Sequence, residues 1–118
     1  MANPNIVAVS TIYGNTGVLA VTTAMANVVQ NPSSSGSLYK INSLILGNAC
    51  TAAQSVTIQI NQAGTNTSII VGGSVPANAS LVVLGKDTQI YLLENNSIQA
   101  NSIANGYITA ICSWEQIS

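Results

Sequence analysis

Between Ser55 and Gln62 the chain alternates without a slip, with Val56, Ile58 and Ile60 on one side and Thr57, Gln59 and Asn61 on the other. Successive side chains of a strand point to opposite faces, so this run offers one face to a core and one to solvent. A helix of period 3.6 would spread the same three aliphatics around its circumference. The signal recurs in short runs bounded by Gly, Asn, Pro and Ser. The run over residues 38–46 is expected to begin half-exposed and to become buried on both faces near Leu44-Ile45-Leu46. Further strands are expected over residues 6–13, 18–30 (with a bend), 68–71, 81–84, 88–93, 97–103 and 107–115. Residues 24–29 have the best helix propensity in the chain. They follow β-branched Val21-Thr22-Thr23 and carry no caps, so strand is expected there as well.

The turns add their own chemistry. Asn105-Gly106 tolerates positive φ at both positions and predicts a tight type I′ hairpin between the last two strands. Residues 94–97 and 63–66 read as further hairpin connections, and residues 31–36 as a flexible surface loop. Pro76 cannot donate to a central ladder, which makes residues 75–79 an extended crossover. About eight to nine short strands in 118 residues predict an all-β antiparallel sandwich or jelly roll. One domain spans residues 1–118, with an N-terminal arm at 1–5 and a C-terminal tail at 116–118.

Charge is where the chain departs from ordinary domains. Only Lys40, Lys86, Asp87, Glu94 and Glu115 are ionic, 4 % of residues, against a usual share of ~25 %. Asn, Gln, Ser and Thr fill the polar positions instead, and hydrophobic residues still make up 47 %. Disordered chains are usually highly charged, so disorder is a poor account of the deficit. No apolar run approaches the ~20 residues of a membrane-spanning helix. Two cations cannot supply the phosphate contacts that dominate nucleic-acid affinity. Near-neutral surfaces tend to associate, an asset in an assembly subunit.

Catalysis finds little to work with. There is no histidine, which removes the usual general base and the commonest metal ligand. Asp87 and Glu94 could form a glycosidase pair, but Lys86-Asp87 reads as a charged turn tip and Glu94 as the close of a strand. Trp114 beside Glu115 could stack a sugar. Strand alternation instead sets Trp114 on one face with Ile108, Ala110 and Cys112, toward the core. Tyr13, Tyr39, Tyr91 and Tyr107 read as half-buried strand residues, and Gly72-Gly73 as a turn without the lysine of a phosphate loop. Cys50 and Cys112 lack clustered spacing and are expected as free, buried thiols. No basic segment or apolar core of signal-peptide type marks the N-terminus, so synthesis in a cytoplasm is expected. The Asn-x-Ser/Thr matches at Asn66, Asn78 and Asn95 then carry no meaning. No enzyme, cofactor or metal is expected.

Three segments resemble small structural proteins of tailed bacteriophages, especially marine cyanophage types. They are Met-Ala-Asn-Pro-Asn-Ile-Val at the start, Val75-Pro76-Ala77-Asn78-Ala79-Ser80-Leu81-Val82-Val83-Leu84-Gly85-Lys86-Asp87-Thr88-Gln89-Ile90-Tyr91-Leu92, and Cys112-Ser113-Trp114-Glu115-Gln116-Ile117-Ser118. The resemblance implies a virion component made in the host cytoplasm, foremost a capsid decoration (cement) protein on the major capsid lattice. A tail, neck or fibre component is the first alternative, and a glycan-binding adhesion module the second. It also implies self-association, with a trimer favoured; the scarcity of cations and of long apolar runs leaves no nucleic-acid or membrane partner expected. This chain carries fewer ionic residues than such proteins do. Candidate interface residues are Asn3, Pro4, Asn5, Ser34, Ser35, Trp114, Gln116 and Ile117, at chain ends and a loop tip. Edge strands, with residues 18–30 and 107–115 the longest candidates, could pair between copies.

Uncharged hydrogen bonds hardly respond to ionic strength. Self-association measured by sedimentation should therefore change less than ~3-fold between ~0.1 and ~1 M salt, where the Debye length falls from ~10 to ~3 Å. A steep loss at high salt would mean that ionic contacts dominate.

Overall fold

The computed structural model describes residues 12–85 and 90–117. They form nine strands: β1 (Ile12–Val21), β2 (Ala26–Asn31), β3 (Leu38–Asn48), β4 (Gln54–Gln62), β5 (Thr65–Val75), β6 (Ser80–Leu84), β7 (Ile90–Leu92), β8 (Asn96–Ser102) and β9 (Ile108–Ile117). One sheet runs β1-β9-β3, with β6 and β7 lying in succession along the far side of β3; the other runs β2-β8-β4-β5. Every pairing is antiparallel. The two sheets pack as a β-sandwich.

Consecutive strands mostly change sheet. β1 leads to β2, β2 to β3, β3 to β4, β5 to β6, β7 to β8 and β8 to β9 across the sandwich, while β4–β5 is an in-sheet hairpin. This alternation is the jelly-roll arrangement expected from the strand count. The interior is a continuous aliphatic layer. Ile41, Leu44 and Leu46 of β3, Ile58 of β4, Ile98 and Ala100 of β8, and Ala110 and Cys112 of β9 are fully buried. Each large side chain among them contributes roughly 1.5–3 kcal/mol of transfer free energy. The expected alternation of β4 holds, with Val56 and Ile58 buried and Thr57 and Gln59 on the other face.

Several local expectations change. Residues 12–21 form one strand through Gly14-Asn15-Thr16-Gly17, which sequence punctuation had read as a break. Residues 22–25 are the bend foreseen within 18–30, and residues 26–31 are strand despite their helix propensity. The Asn105-Gly106 segment is not a hairpin, because β8 and β9 belong to different sheets. Gly106 does take positive φ (85°). Asn105 turns its Oδ1 to accept Thr23 N–H at 2.9 Å, and Ser102 N–H donates to Thr22 O at 2.8 Å. Those bonds tie residues 103–107 to the β1–β2 bend. Residues 94–97 likewise cross between sheets.

Two buried asparagines fix the ends of β3. Asn31, fully buried, donates to Ser37 O and Leu92 O at 2.9 Å each and accepts from Ser35 Oγ at 2.6 Å. Residues 31–36, expected as a flexible loop, are thereby stitched to the sandwich. At the other end, Asn48 Nδ2 points at the carbonyls of Ala52, Val75 and Pro76, each at 3.1 Å, and Oδ1 accepts Cys50 N–H. A buried amide is tolerated only when its donors and acceptors are met, and both are.

The β4–β5 turn uses Ala63 and Gly64, both at positive φ (52° and 99°). That is a two-residue hairpin of the primed kind, matched to strand twist. Alanine is the costly residue there, since its Cβ crowds the following carbonyl in the left-handed region. Ala63→Asn should stabilise the protein by ~0.5–1 kcal/mol, read as a raised denaturant midpoint at unchanged slope. An unchanged or lowered midpoint would show that Ala63 bears no such strain.

Candidate interaction surfaces

Of the residues proposed from sequence as interface, Asn3, Pro4 and Asn5 lie outside the described residues, as do Lys86 and Asp87. Ser34 is exposed at a turn with φ of 62°. Ser35 is spent internally, donating to Asn31 Oδ1 and accepting Ser37 N–H. Gln116 Nε2 donates to Ser37 Oγ at 3.4 Å, and Ile117 is buried.

Trp114 is held from two sides. Its indole stacks on Tyr39 with centroids 5.9 Å apart and planes 17° from parallel. A Cβ built on Gly17 would meet its Cη2 and Cζ3 at 3.0 Å, so β1 carries glycine where the ring edge needs room. Its N–H is buried with no acceptor among the described residues. One ring face is already occupied by Tyr39, which leaves a poor platform for stacking a sugar.

The ionisable groups are dispersed. Glu94 Oε2 accepts Gly36 N–H at 3.3 Å, and Glu115 Oε1 accepts Asn42 Nδ2 at 3.4 Å. Lys40 is the cross-strand neighbour of Glu115. Among the described residues no three His, Cys, Asp or Glu side chains cluster as metal ligands would. A depression of about 390 Å³ is lined by Gly47, Asn48, Ala49, Asn78, Ala79, Tyr107 and Thr109. Its sole titratable group is the tyrosine phenol.

The two outer faces differ in chemistry. On the β1-β9-β3-β6 sheet, register aligns Val18 with Ile111, Ile111 with Ile45, and Ile45 with Val82. Val18, Ile111 and Val82 are 68 %, 40 % and 60 % exposed, and Ile45 is half-buried. One apolar row therefore crosses four strands. The rows beside it are uncharged: Thr16-Ser113-Ser43 on one side, Ala20-Thr109-Gly47-Ser80 on the other. On the opposite sheet, side-chain amides form a relay. Gln59 donates to Gln99 at 2.6 Å, Gln99 to Asn27 at 2.9 Å, and Asn27 to Gln30 at 3.2 Å.

The sheet edges differ too. β5 has two register shifts against β4 and Gly72 at φ 63°, β2 has one shift, and β6 and β7 are short. Such bulges and short lengths are how edges are normally blunted. β1 has none of this. It pairs with β9 over ten residues without a shift, and it carries no charge and no proline. Sequence reasoning ranked residues 107–115 as a possible edge, but β9 is central and has β1 and β3 on its two sides.

No protein-family model and no curated protein matches the chain. Among solved structures it is similar to a chain from the Bacillus endospore appendages, described as a novel family of disulfide-linked pili. The match has a TM-score of 0.54 and 15 % identity, and covers 92 % of this chain and 88 % of that one. At that identity the likeness concerns the fold alone.

Both cysteines are free; Cys50 is half-buried and Cys112 fully so. Burial pushes the Cys112 thiol up to about 12, because the thiolate would lose its hydration. In the unfolded chain it ionises near ~8.5, so its contribution to stability is intact below that pH and is lost as pH rises toward 12. Wild type should lose stability between pH 8 and 10.5 by ~2.5 kcal/mol more than Cys112→Ala, at about 1.4 kcal/mol per unit above the unfolded value. Parallel pH profiles of the two in urea melts would contradict the assignment.

Proposed function

We propose that this protein is a non-catalytic structural subunit that self-associates and coats a tailed-phage particle as a capsid decoration protein on the major capsid lattice. The observation that carries the self-association is the β1 edge: ten residues of regular, uncharged strand, unpaired on the outer side among the described residues, beside an apolar row flanked by uncharged rows. An exposed edge of this kind is a template for pairing with another chain, and monomeric proteins normally block it. Neutral amide and hydroxyl surfaces suit burial on several sides, since interface centres are depleted in Lys, Glu and Asp. The choice of a virion rests on the sequence resemblance, and the chain would reach it from the host cytoplasm.

A second reading, a tail or fibre component, draws support from the fold, which is shared with a subunit of pili. The glycan-binding alternative loses its best platform to the Tyr39–Trp114 stack. An enzymatic role forms no part of this reading.

Counting copies per purified virion by quantitative mass spectrometry separates these readings. A decoration protein should be present in hundreds of copies, scaling with the capsid lattice, and a tail component in dozens or fewer. Absence from the particle would overturn the virion reading, and a protein monomeric at all concentrations would overturn self-association.

A further inference from the structure

We infer that two copies of this chain join through their β1 strands, antiparallel about a two-fold axis at Val18, so that their apolar rows merge into one. The inference rests on the self-association reading above and names the contact that performs it. Among the described residues no strand pairs with the outer edge of β1, although its backbone is regular throughout. An unpaired strand edge is satisfied by another strand, and antiparallel addition between identical edges closes on itself as a two-fold dimer.

Side-chain pattern selects the register. Residues opposite each other in an antiparallel pair lie on the same face, so registers can differ only in steps that preserve the face. With Val18 opposite the second copy's Val18, the row Val82–Ile45–Ile111–Val18 runs straight into its mirror and spans both sheets. On the inner face Leu19 then stands opposite the second copy's Gly17, over which the Trp114 ring edge already lies. Ala20 stands opposite Thr16, and Val21 opposite Asn15. Adjacent face-preserving registers set Val18 against Thr16 or Ala20 and break the row.

The absence of charge argues for a second copy over a foreign strand. A two-fold contact sets the residue at its axis against its own duplicate and doubles any charge carried elsewhere on the strand, so a lysine or glutamate at position 18 would face its like. β1 has none, and neither do the flanking rows of its face. Gly14 and Gly17 are the other small residues of β1, and Gly17 is already committed to Trp114. The apolar row lies on the outer face, so pairing leaves the sandwich interior undisturbed.

The test uses a Cys50→Ser background, with buried Cys112 left in place. Cβ atoms of directly opposed residues lie ~4.5–5.5 Å apart, close enough for a disulfide after small adjustment. Mild oxidation should cross-link Val18→Cys into a covalent dimer, and the double variant Thr16→Cys/Ala20→Cys likewise. Thr16→Cys alone should stay uncross-linked. Val18→Lys should weaken dimerisation at least ~10-fold, because the two ammonium groups oppose each other. Val71→Lys, on the bulged β5 edge, should leave it unchanged and shows that added charge alone is not responsible. If the parent self-associates but Val18→Cys does not cross-link and Val18→Lys has no effect, this contact is wrong and the broader reading survives. A closed trimer that Val18→Lys leaves intact has the same consequence. A parent that stays monomeric at every concentration overturns both.

Discussion

The first sheet exists because β9 is paired on both sides. Its hydrogen bonds join β1 along one edge and β3 along the other over essentially the whole strand. Its inward side chains, Ile108, Ala110, Cys112 and Trp114, close the core from that side. The partners come from opposite ends of the described chain, as when Val18 meets Ile111. Such distant pairings must overcome loop-closure entropy before burial rewards them, so folding of this topology is expected to be slow and cooperative. The placement also has a consequence for the surface. By taking the centre, β9 leaves β1 at the edge of the sheet among the described residues, a straight strand with nothing in its own sequence to protect it.

What the sequence made legible was periodicity and its sum. Val56, Ile58 and Ile60 gave the β4 pattern, the doubly apolar Leu44-Ile45-Leu46 marked the middle of the core strand β3, and the strand count implied a sandwich. Turn chemistry was read locally and succeeded only locally. Gly106 does adopt positive φ, as the Asn-Gly pair suggests. Whether the chain then returns beside the same strand or crosses to the other sheet depends on pairings far away in sequence. β1 was missed because Gly14 and Gly17 look like punctuation. The reason for Gly17 is the edge of Trp114, almost the full chain length away. The outer apolar row was invisible for the same reason: Val18, Ile45, Val82 and Ile111 become neighbours only through register.

The scarcity of charge and the open edge reinforce each other. A strand edge with lysine or proline is protected from pairing, and a surface with many ions resists burial without matched partners. This chain has neither protection along β1, and its two outer faces offer an apolar row and a relay of side-chain amides. The features that discourage a catalytic reading are thus the same ones that favour packing against protein.

The most direct measurement of this account is amide hydrogen exchange resolved along β1 over a series of protein concentrations. Amides of β1 that bond to β9 are protected at any dilution. Those on the outer edge should exchange quickly when dilute and become protected as concentration rises, while the β5 edge stays fast throughout. Outer-edge amides of β1 that remain as fast at high concentration as at low would contradict the claim that this edge is where copies join.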